Sequence, residues 1–412
     1  MAKSRNGKIR VLDAACCSLP FEFPLPTAYC LLFLFSLPCF AQNPPAQPYA
    51  VLNHDAVTYN GPGRDAGHDL AGPEIRFGLL APLAGPRQAE GEALRRAAQM
   101  AIEEENATSL PGARHLVLVT RDETGPWGQA SSQIVHMVFD DEAVALISSS
   151  SGEAAHLAEQ VGNKIGVPIL TLSSDTTTTE INLPWIFRLG PTDAAQAQAF
   201  ARDIYHGRKL QHVVLLAQDD HDSRVGAQEF EKAAKAMNAP SPLRVGLNPA
   251  SPISSALPPE LQGAEAVVIW SDAATTQSLV PYLQQGLPNT PLYVCRKAME
   301  ADPSGPSRPY CRACSTGNGG IWTTAATGVQ SVPPTAFAQH YKERFGVEPG
   351  IGAAEAYDAI RLLAASLRQS GPNRARLRDA LAGISAFPGA SGVISFDHAG
   401  NDTSILTLRR LK

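Results

Sequence analysis

The segment Ile75–Asn106 sets the tightest limit on the fold. Ile75–Pro86 is an apolar run ending in a Pro/Gly-rich loop, and Ala93–Glu105 then places Leu94, Ala97, Ala98, Ala101 and Ile102 on one helical face. Strand, Gly-rich loop and helix make the opening unit of an α/β domain. The loop at the carboxyl end of such a strand is where α/β sheets hold ligands. The alternation continues. Strands are expected at His115–Thr120, Val144–Ile147, Pro168–Leu172, Ile186–Arg188, Val213–Ala217, Ala266–Trp270 and Leu292–Cys295. Helices are expected at Ala130–Phe139, Glu153–Ile165, Asp193–Tyr205, Val225–Met237 and Ala274–Gln285. Helices at Pro334–Phe345, Ala353–Gln369 and Arg374–Ala382, then strands at Val393–Phe396 and Ile405–Leu411, complete the pattern. Such spacing means parallel sheets wound by crossover helices. Two runs of it, parted at Gly190-Pro191-Thr192, predict two α/β lobes that close on a ligand by hinge motion.

A chain of 412 residues is too long for one small core. Its net charge of -5 leaves no basic excess to neutralise phosphates, which argues against nucleic acid as a partner. Lys3, Arg5, Lys8 and Arg10 precede the apolar run Leu31–Leu37, the pattern of a secretory signal over residues 1–41 with cleavage after Ala41. An uncleaved anchor is the rival, but the run is short of the roughly 20 residues of a full span. Cleavage and export predict a periplasmic or other extracytoplasmic location. Gln42–Pro73, rich in Pro, Gly, Asn and Asp, reads as a linker or arm before a folded part starting near Glu74. Cys295, Cys311 and Cys314 lie beyond the cleavage point, so one disulfide among the three is expected, with its pairing open.

An α/β enzyme is the competing class. The Gly85 to Gly91 loop is neither a dinucleotide fingerprint nor a phosphate loop ending in Lys-Ser/Thr. There is no Gly-x-Ser-x-Gly elbow, no His-x-x-x-His and no His-Glu-x-x-His. His221, Asp222 and Ser223 are neighbours in one turn, whereas a triad is assembled from distant segments. Neither catalysis, a cofactor nor a metal is expected.

Six stretches carry a family resemblance when taken in order. They are Gly78-x-x-Ala81-Pro82-Leu83-Ala84-Gly85-Pro86 with Gly91, Ser148–Ser151, Gly166–Thr171 before Ser173-Ser174-Asp175, Asp219–Gly226, Glu355–Ile360, and Gly392–Asp397 with Gly400. In these the chain resembles the type I periplasmic solute-binding proteins of the leucine/isoleucine/valine-binding group, from Ile75 to nearly its end. The resemblance implies two Rossmann-like lobes with parallel sheets, joined by a three-strand hinge. It implies crossings near Gly190–Asp193, Thr324–Gly328 and Phe387–Gly392, with lobe 1 over 74–190 plus 328–388 and lobe 2 over 191–327 plus 389–412. It also implies a monomeric receptor that traps a small solute for a membrane ABC permease. A ligand sensor or accessory protein with a separate partner is the other use of such lobes.

The resemblance implies a site at the strand ends. Ser150 and Ser151 fall where the family binds its ligand's carboxylate, and Ser151 is equally an N-cap. Ser173, Ser174 and Asp175 end the next strand. Asp175 would pair a ligand ammonium or cap the turn after it. Asp222 replaces the aromatic expected on the second lobe, with a solvated acidic loop as the plain alternative. Glu90 and Asp272 also stand near family aromatic positions. Arg296-Lys297 occupy the region of an acidic residue and favour an anionic ligand, or a pair with Asp272. The apolar wall expected for a leucine side chain is missing at the matched positions. A small polar solute is therefore expected: an amino acid, an amide or a small carboxylate.

Overall fold

The computed structural model describes residues 59–108, 114–126, 128–181, 183–248, 258–299, 320–326, 334–350 and 352–411. The expected signal segment over residues 1–41, Cys311 and Cys314 lie outside them. The described residues fall within one compact unit, Gln47–Lys412.

The first sheet contains β1 (Glu74–Ala81), β2 (His115–Asp122), β3 (Ala145–Ser148), β4 (Ile169–Thr171) and β5 (Ile186–Arg188), all parallel, in the order β2-β1-β3-β4-β5. Between the strands run α1 (Gln88–Ala107), α2 (Gln129–Phe139), α3 (Gly152–Ile165) and the single turn α4 (Thr177–Glu180). The two faces of β1 serve different cores, as period-two alternation requires. Phe77 and Leu79 pack with Leu94, Ala98 and Ile102 of α1, while Leu80 joins Ile134 and Met137 of α2 and Ala158 of α3. Gly91 is required by close approach, because a Cβ there would stand 1.9 Å from the Pro82 carbonyl oxygen.

The second sheet has the order β13-β10-β9-β8-β6-β7. Its strands are β6 (Val213–Gln218), β7 (Leu243–Leu247), β8 (Ala266–Trp270), β9 (Leu292–Val294), β10 (Ile321–Ala326) and β13 (Leu406–Leu411), with β13 antiparallel to β10. Helices α5 (Asp193–Ala201), α6 (His221–Ala236) and α7 (Ala273–Gly286) cover it, and α5 runs on into a π-helical turn at Arg202–Gly207. Phe200, Phe230, Trp270, Leu279, Leu283 and Tyr293 fill its core.

The chain then returns to the first lobe. After α8 (Pro334–Phe345), α9 (Ala353–Ser370) lies against α1, and α10 (Arg374–Ala382) follows. Ile360, Leu363, Leu367, Leu377 and Leu381 join the core of Phe77 and Leu94. The two-residue strands β11 (Phe387–Pro388) and β12 (Val393–Ile394) pair antiparallel, and Ala390 and Ile394 belong to that same core. Further on, Leu408 of β13 packs on the second core.

The end of the expected arm is laid along α10. Arg64 pairs with Asp379 at 2.7 Å, Asp69 pairs with Arg376 at 2.8 Å, and the Asn373 amide donates to the Gly63 carbonyl at 2.8 Å. No helix among the described residues is long and apolar enough to cross a membrane.

Candidate functional site

A pocket of about 40 Å³ opens where the strand-end loops of both lobes meet, room for roughly three water molecules. Leu94, Leu172, Leu189 and Pro191 form its apolar wall. Its polar lining is Glu90, Ser150, Ser174 and Glu355 from the first lobe, and Arg296 and Lys297 from the loop after β9. This is the position that parallel-sheet geometry assigns to ligands.

The first-lobe side is a network of charge-assisted bonds. Arg87 grips Glu90 through two nitrogens at 2.7 and 2.8 Å, donates to Ser150 Oγ at 2.9 Å, and reaches Glu123 at 3.3 Å. Ser150 Oγ donates to Glu90 at 2.6 Å, and Ser149 Oγ lies 2.7 and 2.8 Å from the two Glu123 oxygens. Burial alone would raise the Glu90 carboxyl, but the Arg87 guanidinium and the Ser150 hydroxyl hold it below its ordinary value. Glu123 lies further from Arg87, and burial pushes it up to about 7.

Polar contacts tie the two lobes around this pocket. The Arg296 guanidinium on the second lobe holds the buried Glu355 carboxylate on α9. Asp222 on α6 accepts from the backbone N–H of Gly152, the first residue of α3, at 2.9 Å and pairs with Lys297 at 2.9 Å. A carboxylate at a helix N-terminus is favoured by the free N–H groups and the helix dipole. Gly152 permits this approach, since a Cβ there would stand 2.4 Å from Asp222 Oδ1. His221 reaches Asp175 at 2.7 Å, and the Asp193 N–H donates to the Ser174 carbonyl at 2.7 Å. Asp193 is fully buried, which pushes its carboxyl up to about 8.

The residues singled out from sequence fall into two groups. Glu90, Ser150 and Ser174 line the pocket. The other five are engaged elsewhere. Ser151 caps α3 by accepting from the Ala154 N–H, and Ser173 Oγ accepts from the Asp175 N–H. Asp272 caps α7 and accepts from Gln218 at 2.9 Å. Asp222 serves the contact across the lobes just described. Asp175 is fully buried, with one oxygen taken by Thr177 and the other facing His156 and His221. Burial opposes its ionisation, yet the hydrogen bonds from His156, Thr177 and His221 hold its carboxyl well below the usual range. Arg296 and Lys297, open in sequence between an anionic ligand and a pair with Asp272, bond instead to Glu355, Asp220 and Asp222. Sequence reasoning passed over Arg87 and took Glu355 only as the start of the family stretch Glu355–Ile360, with no part in the site. The available signal at Glu355 was an acid on the apolar face of α9, where a buried charge demands a partner.

A family model described as periplasmic binding protein matches residues 74–406. No curated protein matches the sequence. Among solved structures, the chain is similar to the branched-chain amino acid transporter substrate-binding protein LivJ of Streptococcus pneumoniae, in complex with isoleucine. Identity there is 19%, with 82% of this chain and 96% of that one covered and a TM-score of 0.69. It is equally similar to the leucine-binding protein LivK of Thermotoga maritima, at 19% identity over 82% and 95% of the two chains with a TM-score of 0.70. An ABC transporter solute-binding protein of R. palustris in complex with benzoate shares 18% identity over 82% and 93%, with a TM-score of 0.68. With a match running from β1 to the start of β13 and the two-lobed parallel architecture around a pocket, the chain belongs to the periplasmic binding protein family.

Proposed function

We propose that this chain is an exported, non-catalytic receptor that captures a small carboxylate-bearing solute between its lobes and presents it to a membrane ABC transporter. The observation that carries the reading is the composition of the pocket. Two cations, Arg296 and Lys297, and two hydroxyls, Ser150 and Ser174, face an apolar wall of leucines and proline. A carboxylate with a short apolar body satisfies both sides by replacing Glu355 on Arg296, and the Glu355 carboxylate so released takes an ammonium. Amino acids and small organic acids therefore come first, and amides second. The similar proteins named above, with isoleucine, leucine and benzoate in their descriptions, support this class. Glu90, Ser150 and Ser174 are assigned direct contact, and Asp222 closes the second lobe over the solute. Extracytoplasmic location follows from the family and the basic-then-apolar start of the chain.

The test is a thermal-shift and calorimetric panel of amino acids, aliphatic and aromatic carboxylates and amides on the mature chain. A true solute at a hundredfold excess over its Kd stabilises by about 2.7 kcal/mol. Ser174→Ala should weaken that solute about tenfold, the worth of one hydrogen bond. A panel in which nothing binds, or in which a compound is chemically converted, would end the proposal.

A further inference from the structure

We propose a second binding site in this molecule: His156, Asp175 and His221 form a clasp for one divalent transition cation of the zinc type, placed across the seam between the lobes. It is the group among the described residues whose ligand atoms converge as a metal requires. One imidazole or carboxylate atom from each residue lies within 4.8 Å of the others. His156 Nε2 is 3.2 Å and His221 Nε2 is 2.7 Å from Asp175 Oδ2. Ligand atoms about 2.0–2.1 Å from a tetrahedral zinc stand roughly 3.3 Å apart. The His156–Asp175 spacing already fits, and His221 needs to withdraw by a few tenths of an ångström.

The supporting groups are those of a metal centre. Asp175 is held by its other oxygen, which accepts from the Thr177 N–H at 2.9 Å and the Thr177 hydroxyl at 2.7 Å. His156 Nδ1 bonds Glu159 Oε1 at 2.8 Å. That bond orients the ring, the carboxylate–histidine arrangement that stands behind metal ligands. Without a cation Nε2 is itself the donor, to Asp175 and to Thr177 Oγ1 at 2.9 Å, and a bound cation takes the place of that proton. Glu159 is itself buried, and its Oε2 has no hydrogen-bond partner among the described residues. Two carboxylates, Asp175 and Glu159, balance a double positive charge. Two imidazoles and one carboxylate suit zinc, cobalt or nickel and leave a fourth position for water.

Placement gives the clasp its consequence. His156 lies on α3, whose Ala154 and Ala158 pack on the first sheet, while His221 opens α6, whose Phe230 packs in the second core. A cation bound to all three joins the lobes. It therefore favours closure, and by linkage it raises solute affinity by the same factor that solute raises its own.

The chelator-treated, dialysed mature chain is titrated with zinc by calorimetry and with cobalt by visible absorption. One equivalent should bind with micromolar or tighter affinity. The cobalt spectrum should show intense d–d bands without a thiolate charge-transfer band. His221→Gln should abolish stoichiometric binding, and Glu159→Gln should weaken it 10–100-fold, as loss of an orienting partner does. Unfolding midpoints in chelator establish that each variant is folded. The wild-type stoichiometry and spectrum judge the site even if a variant is not. No stoichiometric binding, a thiolate band, or unchanged affinity in folded His221→Gln would each overturn the clasp. The solute panel run in chelator tests the receptor reading separately.

Discussion

Glu123→Gln isolates the energetic tension beneath the pocket. Glu123 follows β2, and its backbone N–H is fixed to the Ala81 carbonyl at 3.0 Å. Its side chain is only 6% exposed, and its nearest cation, Arg87, is spent mainly on Glu90. Burial raises its carboxyl from 4.5 to about 7. The folded state thus holds this proton more tightly than the unfolded chain. The stabilisation from it is complete below pH 4.5, declines as pH rises, and is gone above pH 7. At 1.36 kcal/mol per unit the whole effect is about 3 kcal/mol, and roughly 2 to 3 kcal/mol of it falls between pH 5 and pH 8. Glutamine keeps the acceptor for Ser149 and Arg87 without titrating. Urea unfolding followed by circular dichroism at both pH values, wild type against variant, cancels every other titrating group to first order. The variant should gain roughly 2 to 3 kcal/mol on the wild type between pH 5 and pH 8. Parallel pH profiles for the two proteins would refute the buried, protonated Glu123.

Three further outcomes follow from packing and pairing. Gly226→Ala places a Cβ 1.8 Å from Trp270 Nε1 under α6, so it should cost about 1–3 kcal/mol in urea unfolding. A cost below the error of the measurement would mean α6 sits further from β8. Arg296→Met leaves Glu355 buried without its cation and should cost about 3–5 kcal/mol, with Glu355→Gln in the same chain recovering part of it. A loss that the second substitution does not reduce would show that this pair does not act as a unit. Asn373→Ala removes the N-cap of α10 and the bond to Gly63. It should cost about 1 kcal/mol and expose the chain near residue 64 to limited proteolysis, whereas unaltered cleavage there would detach the arm from α10.

The legible parts of the sequence are those whose physics is local. The β1–loop–α1 unit is legible because an apolar run gives way, across a Pro/Gly-rich loop, to the 3.6-residue period of a helix within one segment. Strand β7 was not visible: it is an edge strand in which Leu243 is half exposed, so no apolar run marks it. Strand β10, with Thr323 and Thr324 buried in its middle, hides for the opposite reason, polar residues at core positions. The site divides in the same way. Ser150 and Ser174 were found from strand ends, whereas the partners of Asp175 lie 19 and 46 residues away and are brought together by tertiary structure alone. No ligand spacing could announce a cluster drawn from α3, the loop after β4 and α6.

Arg188 at the end of β5 is fully buried, and it is satisfied from both ends of the chain's path. Its guanidinium holds the Ser173 carbonyl and the Thr179 hydroxyl, while its Nε donates to Asn401 and its backbone bonds Gly400 and Asp402. More than two hundred residues separate these partners, and α9 and α10 are needed beside α1 as well. The first lobe is thus completed from the far end of the sequence, with only β13 of the second sheet still to follow. A chain that ends before Gly400 lacks these bonds, and one that ends before α9 also leaves the apolar face of β1 and α1 uncovered. The first sheet therefore closes through contacts of very high sequence separation, which slows its completion relative to a sheet closed by neighbouring segments.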